Sequence, residues 1–202
     1  MKLEPSQKTL KAQLRKGMRE KRAALDEHQR HSHDAAINRL LLEYAEQTTP
    51  AVIAAFRAFD GEPDIEPALK LLERRGATLA LPVLSSAPGK LAITMRHWYS
   101  GGEMAANRFG IEEPVNSAEI RLVDIDLVLV PLVAWDESGG RLGMGASFYD
   151  RLFQPFEHMA RPVRLGVAYQ LQKTERVPTE PWDIRLHGVL TEQGRTNCAD
   201  RA

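Results

Sequence analysis

The residues best suited to chemistry stand in the segment 126–151, DLVLVPLVAWDESGGRLGMGASFYDR. An apolar run at 127–130 leads to a glycine-containing turn, then to Arg141, alternating glycines and Ser147. A buried strand, a glycine-rich loop and a helix start are the elements by which α/β proteins present backbone N–H groups to an anion. Arg141 adds a planar set of donors suited to phosphate oxygens. Residue types alone leave an alternative open, an ordinary left-handed turn before a helix in which Ser147 and Asp150 form only a capping box.

Neither of two common nucleotide-binding motifs accounts for this loop. The pattern GxxxxGK[ST] is absent, and GxGxxG fails because Phe148 stands where its third glycine belongs. The arrangement RLGMGxxFYDR, preceded by VPL and by a tryptophan-aspartate turn, is more particular. It resembles the signature of the 5-formyltetrahydrofolate cyclo-ligase (5,10-methenyltetrahydrofolate synthetase) family, VP-x-x-x-F-D-x-x-G-x-R-L-G-x-G-x-G-[YF]-Y-D. Matching positions include Val130, Pro131, Asp136, Arg141, Leu142, Gly143, Gly145, Phe148, Tyr149 and Asp150. Two positions depart from it: Ala146, where the family usually has lysine or glycine, and Ser147, where it has glycine.

Composition sets the broad class of the protein. The chain has 202 residues, and Lys plus Arg and Asp plus Glu both total 27, so no net field favours nucleic acid or acidic lipid. The lone Cys198 fits a reducing compartment, and no apolar run approaches the ~20 residues of a membrane span. We expect a cytoplasmic monomer with no nucleic-acid or membrane partner. We further expect one domain over residues 1–192, followed by a disordered tail at 193–202.

Hydrophobic periodicity predicts an α/β fold of three layers, a mostly parallel sheet with helices on both faces. The predicted helices cover 8–25, 34–46, 64–75 and a short segment after Ser147 that Pro155 limits. The predicted strands are 51–56, 78–83, an antiparallel 91–98, 127–130, 163–169 and 186–191. Residues 100–117 are expected to form a loop. The resemblance implies a fold related to the sugar-phosphate isomerase and CoA-transferase group.

The first predicted helix carries a basic stripe beside its apolar one. Lysines and arginines recur at helical spacing, at Lys8, Lys11, Arg15, Arg19 and Arg22. A solvated charged face is the alternative that these residues leave open. The resemblance implies more, because family members begin with a K-x-x-L-R helix whose cations help to bind ATP phosphates, and Lys11, Leu14 and Arg15 match it.

Three histidines, His28, His31 and His33, suggest metal ligands by their spacing. No cysteine accompanies them and the stretch is polar, so we interpret them as part of a polar surface loop between two helices.

The resemblance implies an activity, two small-molecule ligands and a cofactor metal. Family members convert 5-formyltetrahydrofolate to 5,10-methenyltetrahydrofolate while ATP becomes ADP and phosphate, with Mg²⁺ present. The implied ATP-binding residues are Lys11, Arg15, Arg141, Leu142, Gly143, Met144, Gly145, Ala146, Ser147, Phe148 and Tyr149. Arg141 and Tyr149 are the implied catalytic residues, and Asp150 and Asp183 the implied metal ligands. The implied folate contacts are Arg57, Glu62, Phe109, Met144 and Phe148.

Several of these roles have simpler alternatives. Glu62 could be a solvent-facing acid, with Asp60 competing for its role, while Phe109 could serve core packing and Asp183 a turn. The departures at Ala146 and Ser147 also allow a non-catalytic or altered relative that binds folate or nucleotide. A nucleic-acid-binding module is disfavoured because no aromatic residue interleaves with the basic stripe.

Overall fold

A computed structural model describes residues 6–84 and 92–198 of the chain. The helices are α1 (Gln7–Ala23), α2 (Glu27–Thr48), α3 (Glu66–Arg74) and α4 (Phe148–Phe153). The strands are β1 (Val52–Ala54), β2 (Thr78–Leu84), β3 (Ile93–Trp98), β4 (Met104–Ala106), β5 (Glu112–Pro114), β6 (Glu119–Ile120), β7 (Leu127–Pro131), β8 (Ala134–Trp135), β9 (Arg141–Leu142), β10 (Val163–Val167), β11 (Gly188–Thr191) and β12 (Gly194–Asn197).

The main sheet is mixed and mostly parallel, as predicted. Its strand order is β12-β11-β10-β7-β1-β2-β3-β6, and the central strands from β11 to β2 run parallel. β12 at one edge, and β3 with β6 at the other, pair antiparallel to their neighbours. β2 lies on one side of β1 and β7 on the other, so the strand order reverses at β1. Open α/β sheets place ligands at the carboxyl ends of the strands at such a point.

Alternate side chains of the buried strands enter two separate cores. Leu127 and Leu129 pack on the face that α2 and α3 cover, while Val128 and Val130 pack on the opposite face with Phe153 of α4. This alternation follows from the twofold period of a strand, and it gives the three layers that the sequence predicts. The relation to the isomerase and CoA-transferase group stays a prediction. Within the described parts of the chain, no helix combines the length and the apolar character needed to cross a membrane.

Helix α2 begins earlier than the sequence suggested. Asp26 caps it through a reciprocal pair of hydrogen bonds with Gln29, so the helix starts at Glu27 rather than near Asp34. The three histidines therefore lie on a helix and not in a loop. No group of three or more potential metal-binding side chains exists in residues 6–84 and 92–198.

Two other segments also differ from expectation. The predicted loop at 100–117 contains a small hairpin, in which β4 pairs with β5. The predicted disordered tail contains β12, whose register runs from Gly188 opposite Asn197 to Thr191 opposite Gly194. Main-chain pairing with β11 orders this polar segment, which carries no apolar pattern of its own. The last part of that tail, 199–202, and the start of the predicted strand at Leu91 lie outside the described residues.

The turn before the glycine loop is organised by the buried carboxylate of Asp136. It accepts hydrogen bonds from the amides of Ser138 (2.9 Å), Gly140 (2.9 Å) and Val177 (2.8 Å), and from the Ser138 hydroxyl (2.6 Å). Although burial opposes the charge, these bonds hold the pKa of Asp136 below its usual value. The backbone of the turn is therefore rigid, and it fixes the position from which the Arg141 side chain reaches the cavity.

We predict that Gly140→Ala lowers the free energy of unfolding by about 1–3 kcal/mol, because its added Cβ would lie 2.5 Å from Asp136 Oδ2. Gly17→Ala in α1 is the matched control. Nothing lies within 4 Å of its added Cβ, so a gain of roughly 0.5–1 kcal/mol is expected. Urea denaturation measures both values. Equal effects of the two substitutions would contradict the proposed tightness of the turn.

Candidate active site

A cavity of about 720 Å³ opens at the carboxyl ends of β1 and β7, where the strand order reverses. All the residues to which the sequence analysis gave a site role line it. They are Lys11, Arg15, Arg57, Glu62, Phe109, Arg141, Leu142, Gly143, Met144, Gly145, Ala146, Ser147, Phe148, Tyr149, Asp150 and Asp183. Their roles stay predictions, but their convergence is a structural fact.

Helix α1 brings its cations to the cavity. Its apolar side packs Met18 against Val133 and Leu142, which fixes the helix beside the glycine loop. Arg15 Nε then donates to the carbonyl of Gly143 at 2.8 Å, and Lys11 Nζ lies 2.7 Å from Asp183 Oδ2. The basic stripe is thus not only a solvated face.

The glycine loop has an unusual backbone. Gly145 has φ 108° and Ser147 has φ 49° and ψ 32°, so both are left-handed. The backbone N–H groups of residues 143–147 have no acceptor in the described structure. A left-handed loop with unpaired amides is a feature that suits an anion.

The predicted capping box at this loop is wrong. Ser147 makes no capping hydrogen bond, because its left-handed backbone does not have the extended geometry of a capping residue. The Asp150 carboxylate instead pairs with Arg141 and accepts from the amide of Ile184 at 3.3 Å.

Arg141 is held within the cavity wall with little exposure. Its guanidinium pairs with Asp150 and its carbon Cζ lies 5.9 Å from the ring centre of Tyr149. Its buried Nε has no hydrogen-bond partner within the described residues. The positive charge of Arg141 is therefore already neutralised by Asp150, while its Nε–H group still lacks an acceptor.

Two titratable groups on the cavity wall have shifted pKa values. Burial, aided by the nearby Glu62 charge, raises the pKa of Tyr149, so its phenol stays protonated. The Tyr149 hydroxyl is buried, and no partner for it exists among the described residues. Burial also raises the pKa of Glu62 to about 7, against the opposing effects of Arg22 and of a hydrogen bond from the Phe59 amide. Near neutral pH, Glu62 can therefore be a donor or an acceptor.

The loop that carries Glu62 is fixed by arginines. Asp60, at φ 53°, accepts from Arg19 at 2.7 and 2.9 Å and from Arg22 at 2.9 Å. Arg30 donates to the carbonyl of Gly61 at 2.9 Å. Because its carboxylate is used in these pairs, Asp60 is not a free competitor of Glu62.

The other predicted folate contacts lie around the same wall. Arg57 pairs with Glu66 and, at 2.7 Å, with Glu112. Phe109 is 47% exposed, which argues against a core role, and Arg108 lies over its ring at 5.0 Å. The exposed ring of Phe109, and the part of the Arg57 guanidinium that its two acids do not cover, leave contact surface for an incoming ligand.

Asp150 and Asp183 have the chemistry that Mg²⁺ needs. One carboxylate oxygen of each residue, Oδ1 of Asp150 and Oδ2 of Asp183, pairs with a cation. The other oxygen of each makes no hydrogen bond within the described residues. Carboxylate oxygens completed by phosphate oxygens and water are the usual ligands of this ion. The donor set therefore fits the predicted metal.

Sequence reasoning missed some of the cavity lining. Trp182, Asn107 and Glu113 also line it, and none had been given a site role. Trp182 directly precedes Asp183 in the chain, and that neighbourhood was the available signal. Asn107 and Glu113 lie in the segment expected to be a loop, where no pattern marked them.

The fold and the cavity define an α/β protein with an anion-ready loop facing an apolar wall. The model of the 5-formyltetrahydrofolate cyclo-ligase family matches residues 7–192. The chain is similar to the 5-formyltetrahydrofolate cyclo-ligase of Escherichia coli (36% identical over 178 residues, 86% of this chain and 96% of the relative). It is 34% identical to that of Haemophilus influenzae over 180 residues, covering 88% of this chain and 95% of the relative. The NMR structure of Aquifex aeolicus 5,10-methenyltetrahydrofolate synthetase superposes with a TM-score of 0.80 and 30% identity, covering 96% and 95% of the two chains. The chain belongs to the 5-formyltetrahydrofolate cyclo-ligase family.

We predict that Ser147→Gly raises the free energy of unfolding by roughly 1 kcal/mol, because glycine adopts φ 49° without a Cβ penalty. Ala146→Gly is the neighbouring control. Ala146 has no positive φ, so glycine there should lower stability by about 0.4–1 kcal/mol through chain entropy alone. Urea denaturation of both variants checks the opposite signs. A loss of stability in Ser147→Gly would count against the left-handed loop.

We predict that Glu62 makes the protein less stable as pH rises. In the folded protein the pKa of Glu62 is about 7, above the ordinary 4.5. Between these two values the folded state binds more protons than the unfolded state, so stability declines as pH rises through this range. Glu62→Gln removes this decline, and its advantage over wild type should grow by on the order of 1–3 kcal/mol between about pH 5 and pH 8. Denaturant unfolding across pH measures it. The exposed Glu175, as Glu175→Gln, should show no such growth.

Proposed function

We propose that the protein converts 5-formyltetrahydrofolate to 5,10-methenyltetrahydrofolate with ATP and Mg²⁺, releasing ADP and phosphate. The observation that carries the proposal is the meeting of unpaired amides at 143–147 with the α1 cations at the mouth of one cavity. Membership of the cyclo-ligase family supports the same reaction.

The chemistry explains why phosphate and folate must meet in one cavity. A formamide oxygen is a poor leaving group, so its phosphorylation by ATP activates the carbon to which it is bonded. The neighbouring folate amine then attacks that carbon and loses its proton, and phosphate departs with the former formyl oxygen. Phosphoryl transfer depends on alignment and on charge neutralisation more than on covalent help from the protein.

The phosphate tail is assigned to the glycine loop and to α1. The amides of 143–147 donate to phosphate oxygens, while Lys11 and Arg15 supply positive charge. Arg141, whose Nε is buried without a partner in the described structure, adds a donor from the wall. Asp150 and Asp183 hold Mg²⁺, which neutralises phosphate charge when it is bound.

The folate ring system is assigned to the opposite wall. Glu62 hydrogen-bonds the pterin, a role that suits a carboxyl group with a pKa of about 7. Phe148, Met144 and Phe109 supply apolar contact, and the buried Tyr149 hydroxyl offers a donor near the reacting formyl group. Arg57 lies on the same wall, where its pairs with Glu66 and Glu112 hold the guanidinium in position for folate contact.

The loop departures at Ala146 and Ser147 bear on the alternative of a non-catalytic relative. Ser147 occupies the left-handed conformation with its own side chain, so glycine is not required for that geometry. The Arg15 guanidinium lies 3.6 Å from the position of a Cβ added at Gly145, so a cation stands beside the loop although residue 146 is alanine. Both observations favour a working ligase over a binding protein.

We also infer that the protein acts as a cytoplasmic monomer without nucleic-acid partners. The lone Cys198 suits a reducing compartment, and the balance of charges gives nucleic acid no broad attraction.

The direct test is an absorbance assay for the methenyl product with ATP, Mg²⁺ and 5-formyltetrahydrofolate. We expect ATP-dependent turnover, and Arg15→Met should raise the KM for ATP on the order of 10- to 100-fold. Lys16→Met is the matched control, because Lys16 lies on the same helix with an 80% exposed side chain outside the cavity lining. It should leave the KM unchanged.

Two results would reject the proposal. If folded wild-type protein formed no methenyl product, the proposed activity would be wrong. If Arg15→Met had the same KM for ATP as Lys16→Met, the assignment of α1 to the nucleotide phosphates would be wrong. Nucleotide binding by calorimetry without ATP consumption would select the non-catalytic relative.

A further inference from the structure

Trp182 is an aromatic side chain on the cavity wall to which the proposed reaction gives no role. Its side chain is 64% exposed, while Trp98 and Trp135 are only 5% and 0% exposed. Burying an indole in a core is favourable, so a fold that leaves one in solvent beside a cavity leaves a large apolar surface unused. No ring or cation of the described residues stacks on it.

The backbone that carries Trp182 is firmly held. The amide of Asp183 donates to the carbonyl of Glu180 at 3.0 Å, and the amide of Glu180 donates to Asp183 Oδ2 at 2.8 Å. Lys11 then anchors the same carboxylate oxygen to α1 at 2.7 Å. The turn is therefore fixed to the helix that supplies the phosphate cations, so the backbone at Trp182 is held at a defined place on the rim.

We propose that Trp182 is the surface on which the purine base of the nucleotide stacks. This inference rests on the proposed function and adds the base-binding residue of the same site. Bases stack readily on aromatic side chains, and a purine offers more ring surface than a pyrimidine. The indole thus extends the nucleotide site beyond the phosphates, from the glycine loop across Lys11 to the outer rim.

The nucleotide is a better occupant of this ring than the folate. Trp182 is adjacent in the chain to Asp183, which pairs with Lys11. Lys8, one turn before Lys11 on α1, lines the same cavity. The groups suited to the pterin come from other segments, Glu62 from the loop after β1 and Phe109 from the hairpin region. Charge and chain connection therefore place Trp182 at the phosphate-binding end.

The test measures ATP binding by calorimetry in the full chain with Mg²⁺. We expect Trp182→Ala to weaken ATP binding at least roughly fivefold, and Trp182→Phe to restore most of the affinity, because a phenyl ring still stacks. Tyr99→Ala is the matched control, since Tyr99 is an aromatic residue that is 50% exposed outside the cavity lining. It should bind ATP like wild type. ATP should also quench the fluorescence of wild type but not that of Trp182→Phe.

The outcomes separate this inference from the proposed function. Unchanged ATP affinity in Trp182→Ala, with normal binding by wild type, would overturn the stacking role alone. A raised KM for 5-formyltetrahydrofolate with unchanged ATP affinity would also overturn it, since the ring would then serve the folate. Wild-type protein that binds no ATP would overturn both proposals.

Discussion

The docking of α1 against the loops at the carboxyl ends of the strands is the interaction on which the site depends. The helix contributes little to the main sheet, yet three of its cations bond to three segments that are separate in sequence. Lys11 holds the turn at 180–183, Arg15 the glycine loop, and Arg22 the loop after β1. Those segments are far apart in sequence, and α1 adds contacts to the pairing of β1 with β7 and to the bond between Asp150 and the amide of Ile184, which also bring them together. The same helix therefore links the walls assigned to nucleotide and to folate.

The cavity is balanced in charge before any ligand enters. Lys11 is paired with Asp183 and Arg141 with Asp150, all with little exposed side-chain area. Such pairs add little net stability, because desolvation offsets their attraction, but loss of one partner leaves an uncompensated charge. The pairs therefore serve to place side chains. The Asp150 carboxylate also accepts from a backbone amide, which further limits its position.

The sequence predicted the core of the fold because strand and helix periodicities record burial directly. Leu127 to Val130 and the apolar stripe of α1 are local signals, and they indicated correctly where the glycine loop would lie. β12 could not be predicted in this way, because its order comes from pairing with β11 rather than from its own residues. The absence of a cap at Ser147 was likewise hidden, since serine usually signals a helix cap. The family signature located the cavity lining, but the partners of Arg141 and Asp60 required three-dimensional geometry.

The short β12 has a consequence for the solubility of the molecule. It occupies the outer hydrogen-bonding row of β11, a strand whose residues are all buried. A truncation after residue 192, where the sequence suggested a domain boundary, would bare that row of amides and carbonyls. An apolar strand with such an edge is a template for pairing with other chains. These few polar residues thus protect the folded protein from self-association into aggregates.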